Sequence, residues 1–338
     1  MAVRYWDDGG ADHSWQTAAN WSGDTVPVAD DIVVFDGRAA TGPDDGMLDS
    51  ESGDAAQCTY DLLHIKSTFA GDIGSATEPL CCSPDRVIME GSGTLHLLCG
   101  KTDQNTSTTI PLVIINNPSA TVYLYSNCND ATATCEYTDV YVIAGTVTLA
   151  YYNQDTENCG CYVGNLHISP RNDRSSNATV TIEKDAYKVD GTVATNIYMN
   201  NGTLTTNSMA GTIELRAGTV NFGADLGANP ETDLNITELR MHGGTFNWYP
   251  DDSGDDAYIG KLWLFGGTLD ASGTTNADRA KVLGNGDGND IYLFTGATLN
   301  IANGRGNITI AAGSKLWNYG GLLLTDDNAQ IAVSYDQA

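Results

Sequence analysis

The chain has 338 residues, 41% of them hydrophobic and 17% charged, which is enough apolar material for a large core and too little charge for a disordered acidic tail. Its 16 Lys+Arg against 43 Asp+Glu give a formal charge of -27, a field that repels nucleic acid and anionic membranes and removes both from the expected partners. The 37 Gly and 16 Tyr, with abundant Thr, Asn and Asp, fit short strands joined by tight turns, and no segment of helical length carries a helical apolar stripe.

The opening Met1-Ala2-Val3-Arg4-Tyr5-Trp6-Asp7-Asp8 lacks the basic stretch and apolar run of a signal peptide, and nothing later reaches the length of a membrane span, so secretion by the usual route is not expected. The first 85 residues hold Trp6, Trp15 and Trp21, the run Asn20-Trp21-Ser22-Gly23-Asp24-Thr25-Val26-Pro27, and the strand-like Ile32-Val33-Val34-Phe35. They lack the repeat that follows. A stacked repeat exposes the unpaired edge of its first coil, so residues 1–85 read as a capping or attachment region and 86–338 as the repeat domain. The order Asn-Trp, Gly, Pro, Asp-Asp, Val-Phe resembles the opening coil of parallel β-helix proteins on cell surfaces and in phage virions. The likeness covers this short stretch only.

All eight cysteines follow within one segment: Cys58, Cys81, Cys82, Cys99, Cys128, Cys135, Cys159 and Cys161. Their even number suits disulfides, the missing export signal suits buried thiols, and metal is the third reading. Cys81-Cys82 and Cys159-Gly160-Cys161 lack the paired two-residue spacings of common zinc sites.

From here on one marker recurs, a small residue, a residue that is nearly always Thr, and an apolar residue. Its copies end at Leu95, Val122, Val147, Val180, Leu204, Val220, Phe246, Leu269, Leu299 and, in the degenerate Ser314-Lys315-Leu316, at Leu316. The mean step is about 25 residues, a period typical of solenoids. Ahead of most copies stands a short alternating strand, such as Val140/Val142, Ile213/Leu215, Leu239/Met241, Leu262/Leu264, Ile291/Leu293 and Ile308/Ile310. Each unit is therefore strand, corner, strand, and cannot cover its own apolar face. Stacked coils bury it, which predicts a right-handed parallel β-helix of about ten coils with the marker residues inward and in register.

Most extra length falls after the second strand of a unit, at 223–235, 249–258 and 272–290, which predicts a row of long loops on one corner. Asp251, Asp252, Asp255 and Asp256 make one of these acidic, and Gly284-Asn285-Gly286-Asp287-Gly288-Asn289-Asp290 another. Closely spaced carboxylates and Gly suit Ca²⁺, with Asp287, Asn289 and Asp290 as the candidate ligands; solvated Asx turns are the competing reading.

No Gly-x-Ser-x-Gly elbow, phosphate loop or dinucleotide fingerprint is present. His13, His64, His96, His167 and His242 show no triad or metal spacing, and no motif singles out Arg240, Lys261, Arg279 or Lys281. What the resemblance implies is a structural protein of a bacteriophage particle, a capsid decoration (cement) protein or a spike. Its partners would be other virion proteins such as the major capsid protein, with homo-oligomers, trimers among them, expected. The alternatives are a polysaccharide-active β-helix enzyme and a cell-surface adhesin, with an extracellular or cell-surface location.

Overall fold

The fold is that of a computed structural model, which describes residues 1–10, 12–43, 59–99, 108–126, 135–150, 161–169, 178–183, 195–206, 208, 210–223, 235–248, 257–272, 281–284, 291–301, 308–325 and 333–334. It is all-β, a parallel β-solenoid, and its one helical piece among the described residues is a short 3-10 turn at Ala18–Asn20. The chain divides into two compact units. The first is Met1–Ser169 with Ser175–Val180 and Lys188–Thr192; the second is Pro170–Arg174, Thr181–Tyr187 and Val193–Ala338.

In the first unit, Val3–Tyr5 pairs with Ile32–Phe35, and Leu62–Ile65, Arg86–Met89, Thr108–Ser126, Cys135–Ala150 and Tyr162–Ile168 follow in succession, every pairing parallel. Period-two alternation sends one set of side chains inward, and parallel register puts like on like at the strand spacing of about 4.8 Å. Two buried ladders result: Val33, Leu63, Val87, Val113, Val140 and Leu166, and beside it Phe35, Ile65, Met89, Ile115, Val142 and Ile168. The marker strands stack likewise, with Leu95 on Val122 on Val147. Parallel rungs thus form where the marker is absent, and the solenoid has about 8 turns where about ten coils were expected.

The second unit repeats the plan. Leu204, Val220, Phe246, Leu269 and Leu299 are buried and in register, and each such side chain contributes about 1.5 to 3 kcal/mol by leaving water. Beside them run Ile197, Ile213, Leu239, Leu262 and Ile291. One expectation is corrected here. Leu316 is buried, but it stacks on Ile291, in the column of first strands, and Leu323 is the residue that continues the marker column beyond Leu299. Ile308–Ile310 likewise pairs with Lys281–Leu283, on a third column that begins with Ala210, Ile236 and Ile259. The marker residue Leu316 and the alternating pair Ile308/Ile310 are thus each expected one column too far along, because the last coil lacks the Gly-Thr pair that fixes the phase.

The corner before the marker explains the glycine. Gly202, Gly218, Gly244 and Gly267 all have φ between 77° and 92°, a region that costs any residue with a Cβ. They also stack on one another. A Cβ on Gly244 would lie 2.7 Å from the Gly218 carbonyl oxygen, and one on Gly267 2.5 Å from that of Gly244. The same carbonyls accept from the next coil's Thr amides, Thr245 to Gly218 at 2.9 Å and Thr268 to Gly244 at 2.9 Å.

The start of the first unit is built differently. Trp6, Trp15 and Trp21 are buried against Phe35, Trp21 meeting Trp6 and Trp15 edge-on at 5.1 and 4.7 Å. Buried Asn20, beside Trp21, accepts from the Gly10 amide at 2.6 Å and donates to Asp12 and to the Ser14 carbonyl at 3.0 and 2.9 Å, so its burial leaves no amide group unmet. Asp31 ties the first strand down by accepting from the Ala2 amide at 2.6 Å and from Arg4 at 3.3 Å. Burial opposes its ionisation, but the Ala2 and Val28 amides and the Arg4 guanidinium outweigh burial and hold its carboxyl below the usual value.

Candidate functional site

The outward positions of a parallel ladder are as ordered as the inward ones. In the second unit Glu214 lies opposite Arg240, Arg240 opposite Trp263, Trp263 opposite Tyr292 and Tyr292 opposite Trp317. Glu238 lies opposite Lys261, and Phe294 opposite Tyr319. From Glu214 onward the face is therefore charged over two coils and aromatic over those that follow, with Tyr198 standing ahead of Glu214. In the aromatic half the rings stack in parallel, Trp263 on Tyr292 at 4.0 Å and 9°, Phe265 on Phe294 at 5.0 Å and 18°, Phe294 on Tyr319 at 5.2 Å and 14°.

Where the two halves meet, the surface sinks into an open depression of about 410 Å³. Glu214, Glu238, Arg240 and Lys261 form its charged lining, and Trp263, Phe265 and His242 its aromatic one. Glu-Leu-Arg occurs twice, at 214–216 and 238–240. The register offsets the second copy by two positions, so that Glu214 faces Arg240 across the rungs, opposite charge against opposite charge. Each glutamate is also gripped by the arginine of its own strand. Arg216 donates to Glu214 at 3.1 and 3.0 Å, and Arg240 to Glu238 at 2.9 Å. The Glu238 hydrogen bond, ahead of the more distant Glu214 charge, raises the Arg240 guanidinium further above its usual value. Glu238 also accepts from the Trp263 indole N–H at 2.9 Å, which fixes that ring, and the Lys261 ammonium sits 5.1 Å from the ring centroid.

Such exposed pairs add only about 0 to 1 kcal/mol each to stability. Their effect is orientation. A glycosidase needs one carboxyl free to give its proton to the leaving oxygen, whereas both carboxylates here already accept from arginine.

The sequence had marked Arg240 and Lys261 without a motif, and the structure brings them together. Nothing in linear spacing joins them to Glu214 and Trp263, because the residues come from three successive coils. The available signal was the doubled Glu-Leu-Arg, which becomes informative only once the two-residue offset is known. The depression sits on the outer face of the first-strand column, and the long loops expected at 223–235, 249–258 and 272–290 lie largely outside the described residues. Asp287, Asn289 and Asp290, the calcium candidates, lie outside the described residues, as do Asp251, Asp252, Asp255, Asp256 and Arg279. No group of three His, Cys, Asp or Glu among the described residues is placed to hold a metal.

Cys81, Cys82, Cys99 and Cys161 are buried in the first unit, while Cys58, Cys128 and Cys159 lie outside the described residues. Cys99 reaches the Glu136 carbonyl at 3.6 Å. Complete burial, and then the neighbouring Cys161, Cys99 and Cys82, push the Tyr137 hydroxyl well above its usual range, and it donates within the core to the Leu97 and Tyr125 carbonyls at 3.0 and 2.9 Å.

His13 contacts Asp8 at 2.6 Å and His64 contacts Glu90 at 3.1 Å, whereas His96 and His167 serve as stacked ladder rungs. His96 stacks on Tyr123 at 4.5 Å and His167 on Tyr141 at 4.2 Å. Burial lowers the value of each, against the opposing charges of Asp72 and Asp139 respectively. Compared with known proteins, the chain matches no family model, no curated protein sequence and no solved structure.

Proposed function

We propose that this chain is a structural protein of a bacteriophage particle, of the capsid decoration or cement kind, and that it works by presenting the faces of a stiff stack. The observation that carries the proposal is the parallel stacking of the described strands within each unit, in register except around Asn116. Among the described residues the inward columns are buried and apolar lies on apolar, which stabilises each unit coil upon coil. The opening stretch that resembles phage and cell-surface β-helices supplies buried first-coil residues, Trp21 and Phe35 among them. Residues 1–85 would cap the stack or attach it, with the major capsid protein or a second and third copy of the chain as the surfaces met. Function by packing needs no catalytic group.

Purified particles test this. The chain should be found in them at a fixed stoichiometry, with a contact of at least about 1,000 Å² to another virion protein, the size of a specific interface. Its absence from particles, together with release of sugars from polysaccharide in solution, would establish the enzyme reading instead. A calcium role for Asp287, Asn289 and Asp290 has its own test: chelator at fixed ionic strength should lower the melting temperature, because an ion held only by the folded chain stabilises it.

A further inference from the structure

The depression on the second unit has a chemistry that the structural role does not use. We infer that it is a binding site for a neutral saccharide, with the Trp263 indole as the stacking platform. The inference stands apart from the assignment to a particle, since the site would bind sugar whatever the chain is attached to.

Ring geometry selects the platform. In the aromatic half of the face, rings cover one another: Phe265 has His242 at 5.0 Å and Phe294 at 5.0 Å, and Phe294 has Tyr319 on its further side at 5.2 Å. Such rings present edges to water. Trp263 is the rung at which the aromatic stack ends, with Tyr292 stacked against it at 4.0 Å and the non-aromatic Arg240 as its partner on the preceding coil. Trp263 lines the depression whereas Tyr292 does not. The ring is held in place by its N–H bond to Glu238.

A pyranose offers an apolar C–H face rimmed by hydroxyls that both donate and accept. Around Trp263 stand matching groups: the carboxylates of Glu238 and Glu214 to accept, Arg240 and Lys261 to donate. A carboxylate has about four lone-pair positions and a guanidinium five N–H donors, so the ion pairs at this site leave capacity for hydroxyls. Charge narrows the ligand further. The two glutamates offset Arg240 and Lys261, so the lining is close to neutral, and the chain carries -27 overall. An acidic glycan or a nucleotide would have to approach against that field and compete with Glu238 for Arg240. A quaternary ammonium would meet the Lys261 ammonium already 5.1 Å from the indole centroid.

Native affinity electrophoresis of the full chain tests this, in gels cast with galactomannan, pullulan, xyloglucan or mixed-linkage β-glucan, and with alginate as the acidic control. At least one neutral polymer should retard the protein while alginate does not. Trp263→Ala should weaken retardation at least about tenfold, the order expected on removing one aromatic anchor. Arg240→Gln, which leaves the ring ladder in place, should weaken it as well, and Trp263→Phe should restore part of the loss. Melting curves and far-UV dichroism show that each variant is folded. Three results would each overturn the inference: no retardation in any neutral polymer, retardation by alginate alone, or equal retardation of wild type and of both folded variants Trp263→Ala and Arg240→Gln. None of these bears on whether the chain is part of a particle.

Discussion

Aromatic rings meet in two ways in this molecule, at the start of the first unit and on the outer face of the second. Trp21 meets Trp6 at 79° and Trp15 at 69°, edge to face. Trp263 lies on Tyr292 at 9°, and Phe294 on Tyr319 at 14°. The quadrupole of an aromatic ring favours offset or edge-to-face contact, and the first coil, where Trp15 sits in a turn and Trp21 caps a 3-10 segment, leaves the chain free to reach it. Parallel register gives no such freedom, because it sets each ring directly above its counterpart and dictates a stack. The same residue type thus acts as an interlocking core piece where the backbone is irregular and as a ladder rung where it is regular.

The most damaging substitution should strike the ladder from inside. Phe246→Asp places a carboxylate between Val220 and Leu269, in a buried column with no cation, and an unpaired buried charge costs several kcal/mol. We expect loss of cooperative melting in the second unit, read by limited proteolysis mapped onto residues 193–338. Next in size is Trp21→Ala, expected to cost about 3 to 5 kcal/mol in denaturant melts because the interlocked cluster cannot collapse around the cavity. Trp263→Ala removes a half-exposed rung, and its loss should be nearer the 0.5 to 1.5 kcal/mol, roughly, of a single aromatic pair. Equal losses for the two tryptophans would erase the distinction between core piece and rung.

The contrast also separates what could be read in the sequence from what could not. Stacking was legible, since Gly244-Thr245-Phe246 and its relatives carry both the corner that needs positive φ and the inward residue that follows it. The phase of the last coil was not, because Ser314-Lys315-Leu316 resembles the marker locally while only the partner strand, Ile291–Phe294, reveals that Leu316 belongs to the first-strand column. Outer faces were less legible still. Hydrophobic alternation says that Glu214, Arg240 and Trp263 point out, but which of them are neighbours depends on insert lengths between coils, and these decide that Glu214 meets Arg240. The buried tryptophans were visible as composition; the Asn20 and Asp12 hydrogen bonds that hold their loop were not, because nothing in residue type shows which polar group a turn will satisfy.

Acid should act on the irregular start first. Asp31 has a carboxyl held below 3.8, so across the interval between the folded value and 3.8 the unfolded chain binds more protons than the folded one. The stabilisation is present in full above that interval and is lost as pH falls through the folded value. Asp31→Asn, which weakens the grip on Ala2 and Arg4, should cost about 2 kcal/mol at neutral pH, the scale of hydrogen bonds to a charged group, and should flatten the stability profile below pH 4 or so. Denaturant midpoints of the two proteins at a series of pH values provide the check. A parallel pair of profiles would mean that Asp31 stays equally protonated in both states.

The smallest effect should come from the two histidine rungs of the first unit, His96 and His167. His167 lies on Tyr141 at 4.2 Å and 4°, and burial lowers its value below 6.5 even though Asp139 works in the other direction. The neutral ring is therefore the form the folded state prefers. Above 6.5 the folded and unfolded chains carry the same proton count at this site and the stabilisation is complete. As pH falls below 6.5 the unfolded chain takes up the proton first, and stability declines until the folded value is passed. His96, stacked on Tyr123 and lowered by burial in the same sense, adds to the decline in the first unit. Hydrogen exchange at pH 7.5 and pH 5.5, corrected for intrinsic rates, should show loss of protection at residues 137–142 and 162–168. Tyr141→Ala should bring the His167 ring resonance back toward an ordinary titration, because the neutral ring loses the cover of its stacking partner. If that variant titrates as wild type does, the shift arises from the strand backbone around His167, and Tyr141 is merely adjacent.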